Sequence, residues 1–151
     1  MMDELFKHAA ELGVGVEFTN LKHLHRNGDY SARHHLIRLQ DGMMPRKTRH
    51  VFAHELAHAY YRDEPSMLEH LNHAHERRAD EVAAHILIRA DEYREAEERF
   101  NGHTESIAAE LYVLPRTVDA YRRTLCRIGD DVYVRPKHGV GQWHAKYRAV
   151  A

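Results

Sequence analysis

The sequence predicts an α+β fold, with a small sheet near the N-terminus and helices through most of the remaining chain. Three patterns carry this prediction: an amphipathic segment at residues 3–12, two short alternating strands around a turn dipeptide, and helical periodicity over most of residues 45–125. The order of helix, hairpin and further helices is typical of the α+β class. At 151 residues, the chain is long enough to bury a core as one domain, with at most a small appendage.

The first elements are a helix and a hairpin. The apolar face of the predicted helix carries Leu5, Phe6, Ala9 and Leu12, and Gly13 is a natural stop. The apolar residues of the two strands are Val14, Val16 and Phe18 in the first strand and Ile37 and Leu39 in the second. Asn27-Gly28 is the strongest short hairpin signal, so we expect a β-hairpin in a short antiparallel sheet.

The later elements are mostly helical. Pro45 opens a helix of about five turns, which ends before Pro65. A second helix is predicted within residues 66–90, a charged third helix at 91–100, and two short helices within 104–128 around Leu114-Pro115. A short strand is expected at 132–134, followed by a basic tail. We therefore divide the chain into a core at residues 1–100 and a C-terminal helical segment at 101–151 that packs on it.

Composition argues against several classes of protein. The formal net charge is −1, which indicates no nucleic-acid partner. No apolar run approaches the roughly 18–20 residues of a membrane span, and the N-terminus lacks the pattern of a secretion signal. Cys126 is the only cysteine, which fits a reducing compartment. We therefore expect a cytoplasmic protein without a membrane partner.

The segment RHVFAHELAHAYYRDE, residues 49–64, contains His54-Glu55-Leu56-Ala57-His58, the H-E-x-x-H arrangement of zinc hydrolases. Residues four apart on a helix share a face, about 6 Å apart along the axis, so both imidazoles can reach one ion. Glu55 projects beside them, where it can take a proton from water. Fifteen histidines make a chance match easier, but the motif's neighbours are small or apolar, as in a buried helix. We predict one Zn²⁺ per chain.

A catalytic zinc ion needs a third protein ligand. The pattern H-E-x-x-H-x-x-G-x-x-H is excluded, because Tyr61 and Glu64 occupy its glycine and final histidine positions. The candidates are the carboxylates of Glu64, Glu69, Glu76, Asp80 and Glu81 and the imidazoles of His70, His73, His75 and His85. Helical geometry favours Glu76, which starts the core-facing stripe and is therefore expected to be buried, with His75 as the main rival. Asp80, one turn later, is placed to accept the second N–H of a ligating imidazole.

HELAHAYY at residues 54–61, followed by HERRADEVAAHILI at residues 75–88, resembles the ImmA/IrrE metallopeptidases. In that family, H-E-x-x-H precedes a helix of the type E-x-x-A-[DN]-x-F-A-A-x-L-L. The resemblance implies a small zincin-like domain with a gluzincin-like site, in which Glu55 is the general base and Asp80 supports the metal ligands. The implied ligands are His54, His58 and Glu76. Val82 and His85 depart from the family pattern, but neither is a proposed ligand.

The resemblance also implies a biological role. Members are cytoplasmic proteins, often encoded on phages or mobile elements, and relieve repression by cutting a helix-turn-helix repressor. The cleavage step needs a group that stabilises the oxyanion, and the candidates for this group are Tyr30, Tyr60, Tyr61 and His35. The strand at residues 35–39 is a candidate for pairing with an extended substrate.

Two other functions compete with peptidase activity. SIAAELYVLPRTVDAYRR, residues 106–123, resembles a helix-turn-helix, and the basic excess of residues 111–151 favours an anionic partner. DNA contact through residues 105–125 is therefore an alternative, although we favour packing of this segment on the core. The second competitor is a catalytically silent, zinc-stabilised module that sequesters its repressor. Glu55 argues against that module, because a purely structural site has no use for a base.

Overall fold

The computed structural model describes residues 2–128, 131–134 and 146–148, which form six helices and two small sheets. The first half contains α1 (Met2–Glu11), β1 (Gly15–Thr19), a 3₁₀ turn (Lys22–Leu24), β2 (Gly28–Ser31), β3 (Leu36–Gln40) and α2 (Pro45–Tyr61). The second half contains α3 (Glu69–Leu87), α4 (Ala90–Arg99), α5 (Thr104–Glu110), α6 (Pro115–Arg123), β4 (Leu125–Ile128), β5 (Asp131–Val134) and β6 (Lys146–Arg148). The predicted α+β class is confirmed.

The N-terminal sheet has the order β1-β3-β2, so β3 is its central strand. The β2–β3 pair is antiparallel, whereas β1 runs parallel to β3. The sheet is therefore mixed, and the expectation of a purely antiparallel sheet is wrong in this respect. Ile37 and Leu39 are completely buried on the inner face of β3, as their alternation predicted.

The hairpin exists, but its turn is not at Asn27-Gly28. Residues 32–35 connect β2 to β3, and His35 adopts a left-handed conformation with φ of 48°. Gly28 instead begins β2, where a Cβ atom would lie 2.6 Å from Val51 Cγ1 on α2. A glycine is needed there because strand and helix approach closely, not because the chain turns.

Helix α2 is the central element of the core. It begins at Pro45 and ends at Tyr61, and Arg62 then adopts a left-handed conformation. Phe52, Ala53 and Leu56 are almost fully buried, as expected for the apolar surroundings of the motif. Small side chains between α2 and α3 let the two helices approach closely. The buried residues at this contact are Ala57, Ala79 and Val82.

The C-terminal helices pack against this core. Helix α6 contacts α3, and the turn between α5 and α6 is held by α2. Arg46 Nε donates to the carbonyl oxygen of Val113 at 2.9 Å, and Arg49 Nη1 donates to that of Tyr112 at 2.6 Å. The two short helices predicted around Leu114-Pro115 are present as α5 and α6.

The second of these helices is shorter than predicted. It ends at Arg123, and Leu125–Ile128 forms β4, which pairs with β5 in an antiparallel sheet. Pairing with a distant strand overrides the local helical pattern there. The strand expected at 132–134 is confirmed as part of β5, while much of the basic tail, at residues 135–145 and 149–151, lies outside the described residues. Within the described part of the chain, no helix is both long and apolar enough to cross a membrane.

Candidate metal centre

Donor atoms from three side chains converge between α2 and α3. His54 Nε2 lies 3.1 Å from His58 Nε2 and 3.2 Å from Glu76 Oε2, and His58 Nε2 lies 3.1 Å from Glu76 Oε1. Ligands about 2.0–2.1 Å from a tetrahedral zinc ion are separated from one another by about 3.3–3.4 Å. The spacing of the three donors therefore fits a single ion of that size.

The opposite nitrogen of each imidazole faces a carboxylate. His54 Nδ1 lies 2.9 Å from Asp80 Oδ1, and His58 Nδ1 lies 2.9 Å from Asp63 Oδ2. Because an ionised carboxylate only accepts hydrogen bonds, each Nδ1 carries a proton, and the Nε2 of a neutral imidazole then presents a lone pair. Two such lone pairs and the carboxylate of Glu76 repel one another unless positive charge lies between them. The donor set therefore suits a cation.

The pKa values of His54 and Glu76 also indicate that the cluster favours a positive charge. Burial lowers the pKa of His54, but hydrogen bonds to Asp80 and Glu76 outweigh burial and raise it to about 10. When the imidazoles are protonated at Nε2 as well, hydrogen bonds from His54 and His58 hold the pKa of the Glu76 carboxyl far below its ordinary value. The cluster stabilises a proton on the imidazoles for the same reason that it can stabilise a metal ion.

Asp63 is a functional candidate that the sequence did not reveal. It follows the left-handed residue at the end of α2, and Arg78 Nη2 donates to its other carboxylate oxygen. Burial raises the pKa of Asp63, but hydrogen bonds from Arg78 and His58 lower it overall. Arg78 also stacks on the ring of Tyr61, 3.8 Å from its centroid. The only signal in the sequence was a carboxylate immediately beyond the zinc-motif helix.

Glu55 is placed to act as a base. Its side chain is buried, and burial raises the pKa of its carboxyl, while the neighbouring His54 and His58 lower it by a smaller amount. A carboxylate with a raised pKa is the stronger base at neutral pH. Strand β2 passes directly over it, since a Cβ at Gly28 would lie 3.2 Å from Glu55 Cγ.

A cleft of about 360 Å³ opens in front of the donor atoms. Of the four predicted oxyanion stabilisers, Tyr30 lines this cleft and the other three do not. Tyr61 lies under Arg78, Tyr60 is half exposed, and His35 lies in the β2–β3 turn. Tyr30 is therefore the one of these four side chains that faces the cleft.

Glu76 reaches both imidazoles, but the expectation that it is buried is wrong. Its side chain is 61% exposed, because it lies at the open side of the cleft. His75, its rival, also lines the cleft, yet its Nδ1 lies 3.8 Å from Asp63 Oδ1, and it does not belong to the converging group. Asp80 occupies the predicted position behind His54.

The remaining ligand candidates do not join the converging group in the described structure. Glu64 lines the cleft without joining the group, and His70 is exposed on α3. Glu69 and His73 face each other at 3.5 Å on an exposed surface. Glu81 is buried beside Arg77 and Arg123, and His85 packs against the ring of Tyr121.

His50, one turn before His54, was also missed by sequence reasoning. It is buried, with Nδ1 2.8 Å from Thr117 Oγ1 on α6 and Nε2 3.9 Å from Asp80 Oδ1. Burial, assisted by the charge of Arg116, lowers the pKa of His50 to about 4, so its ring is neutral at neutral pH. His50 therefore lies between α6, which it contacts through Thr117, and the carboxylate behind His54.

The α+β fold, with a zinc-motif helix packed on a second helix that presents a carboxylate to both imidazoles, defines a small zincin-like domain. The sequence model described as IrrE N-terminal-like domain, Peptidase_M78, matches residues 9–122. The chain therefore belongs to this ImmA/IrrE family of metallopeptidases. A comparison with curated proteins finds none that matches. The predicted resemblance is confirmed, and the match extends into α6.

Proposed function

We propose that the protein is a zinc-dependent endopeptidase that binds one zinc ion through His54, His58 and Glu76. The convergence of these three donor atoms beside the buried carboxylate of Glu55 is the observation that supports the proposal most directly. Two imidazole nitrogens and one carboxylate oxygen form a typical ligand set of catalytic zinc sites in peptidases. Membership of a metallopeptidase family implies a metal cofactor and supports the same reaction class.

Each residue of the site would have a separate role in peptide hydrolysis. Zinc, when bound, supplies Lewis acidity that makes a water molecule acidic enough to ionise near neutral pH. Glu55 would take the proton of the attacking water and then deliver it to the amine that leaves as the peptide bond breaks. Asp80 and Asp63 would hold the two imidazoles in the tautomer that directs Nε2 into the site. Tyr30 is the candidate donor to the oxyanion.

The sheet offers one edge to a substrate in the cleft. The predicted substrate-pairing strand, residues 35–39, cannot fill this role as β3, because β3 pairs with a strand on each side. Strand β2 is an edge strand, and Gly28, Asp29 and Tyr30 line the cleft. An extended peptide could therefore add to β2 through its main chain, leaving sequence preference to the cleft walls.

We further propose that the substrate is a helix-turn-helix repressor and that cleavage in the cytoplasm relieves repression. The family resemblance supports this role. One basic side chain of α6 argues against DNA contact, because Arg122 donates to Tyr93 Oη, Thr104 Oγ1 and the carbonyl of Gly102. A guanidinium held in this way is not directed at a phosphate backbone.

Replacing Glu55 tests the proposal. Zinc-loaded wild-type protein should cleave the repressor encoded by the neighbouring reading frame, and a chelator should stop cleavage until zinc is restored. Glu55→Gln should retain zinc but cleave at least about a hundredfold more slowly. Glu95→Gln, an exposed substitution on α4, is the matched control. If Glu55→Gln relieves repression as well as the wild type does, the protein acts by sequestration and the peptidase proposal is wrong.

A further inference from the structure

Arg116 lies beside the candidate metal centre, although it is distant from the donor residues in the sequence. It lies in the first turn of α6 and lines a second cleft of about 320 Å³, together with Glu76 and Asp80. Arg26, which precedes β2, lines both this cleft and the one in front of Tyr30. The two clefts also share Gly28 at the start of the edge strand, so a peptide that enters both clefts would pass the donor atoms and Arg116.

The guanidinium of Arg116 has no acidic partner in the described part of the chain. The nearby carboxylates are engaged by imidazoles: Glu76 by His54 and His58, and Asp80 by His54. Arg116 is exposed, and its charge acts on the centre without a direct contact, lowering the pKa of His50 and, after larger contributions, that of Asp80. An arginine with five N–H donors therefore faces a cleft in which no described side chain accepts from it.

Arg26 adds positive charge to the same cleft. Its Nη1 lies 3.6 Å from Asp29 Oδ2, but Asp29 is held more closely by Arg38, whose Nε donates at 2.8 Å and whose Nη2 donates at 2.5 Å. One carboxylate thus faces two guanidinium groups, and the Arg26 side chain remains 60% exposed. Two guanidinium groups, those of Arg26 and Arg116, therefore line the second cleft, together with the carboxylates of Glu55, Glu76 and Asp80.

We propose that Arg116, assisted by Arg26, forms a subsite for a carboxylate of the peptide substrate, namely an Asp or Glu side chain near the scissile bond. This inference rests on the proposed peptidase function and names its substrate class. The planar fork of arginine matches a carboxylate with two parallel hydrogen bonds. His54 and Glu76 line both clefts, which favours a side chain within a longer peptide over a terminal carboxylate.

A cleavage profile tests the subsite. Zinc-loaded wild-type protein incubated with a proteome-derived peptide library should cut preferentially where Asp or Glu occupies one fixed position relative to the broken bond. Arg116→Gln should lower kcat/KM for an Asp-containing peptide about tenfold to a hundredfold, mainly through KM, and leave the matched Asn peptide nearly unchanged. Arg116→Glu should shift the preference to Lys or Arg. Arg94→Gln, an exposed charge change on α4, should keep the wild-type profile. Cleavage without an acidic preference, or with one that survives Arg116→Gln, overturns the inference.

A binding measurement separates this inference from the peptidase proposal. Fluorescence anisotropy with zinc-loaded Glu55→Gln protein would compare peptides that carry an internal Asp, an internal Asn, or a free rather than amidated C-terminus. We expect the internal Asp peptide to bind more tightly than the Asn peptide, and Arg116→Gln in this background to abolish the difference. A preference for the free C-terminus alone would overturn the side-chain assignment. If no peptide is cleaved but the Asp preference is present, the subsite is supported and the peptidase proposal fails.

Discussion

Replacing Asp63 with asparagine tests how strongly the carboxylate behind His58 supports metal binding. Asp63 accepts from His58 Nδ1 at 2.9 Å and from Arg78, and its side chain is only 10% exposed. An asparagine has one acceptor oxygen where Asp63 has two. It can accept from His58 or from Arg78, and its NH₂ group then lies against the N–H donor of the other side chain. The variant therefore loses about one charge-assisted hydrogen bond, worth about 1.5–3 kcal/mol. We expect zinc affinity to fall about tenfold to a hundredfold, the range typical of residues that orient metal ligands.

The affinity can be measured by titrating zinc against a chelating dye at constant pH. Asp91→Asn provides the matched control, because Asp91 pairs with Arg89 on the exposed surface of α4. Arg78→Gln should weaken zinc binding less than Asp63→Asn, since Asp63 would still accept from His58. Urea unfolding in the presence of a chelator would separate lost stability from lost metal binding. Zinc affinity within twofold of the wild type in Asp63→Asn would refute the assigned role.

Three further substitutions or conditions probe the site. Glu76→Gln should lower zinc affinity more than tenfold in the same titration, because a charged ligand is lost; unchanged affinity would identify a different third ligand. Gly28→Ala should lower the free energy of unfolding by about 1–3 kcal/mol in urea, because its Cβ would lie 2.6 Å from Val51 Cγ1 and would press on Glu55; wild-type stability would show that the helix and strand are not in contact. In metal-free protein, the pKa of His54 is raised from 6.5 to about 10. The protonated imidazole therefore contributes to the free energy of unfolding in full below pH 6.5, and this contribution is lost as pH rises through about 10. Urea unfolding with a chelator should follow this decline, and a flat profile would contradict it.

The parts of the site that depend on one helix could be predicted from the sequence. His54, Glu55 and His58 lie within a turn and a half of α2, so the helical repeat alone fixes their relative positions. Asp80 and Glu76 required the additional assumption that α3 packs on α2, which the small residues Ala79 and Ala83 made reasonable. The exposure of Glu76 could not be derived, because it depends on where the cleft opens.

The parts that depend on distant pairing could not be predicted. Asn27-Gly28 has the local chemistry of a turn, but Gly28 is required by the approach of α2, and the real turn, at residues 32–35, contains no glycine. The parallel pairing of β1 with β3 leaves no local pattern in either strand. His50 and Arg116 gain their positions only when α6 packs beside α2 and α3, and no spacing in the sequence reports that contact.

The three converging donor atoms come from a short stretch of chain, in which His54 and Glu76 are 22 residues apart. Only the loop at residues 62–68 separates α2 from α3, and closing so short a loop costs little chain entropy. Because synthesis proceeds from the N-terminus, these donors leave the ribosome well before Arg116 does. In the order of synthesis, the three side chains of the candidate metal centre therefore precede the wall of the cleft that α6 forms with Arg116.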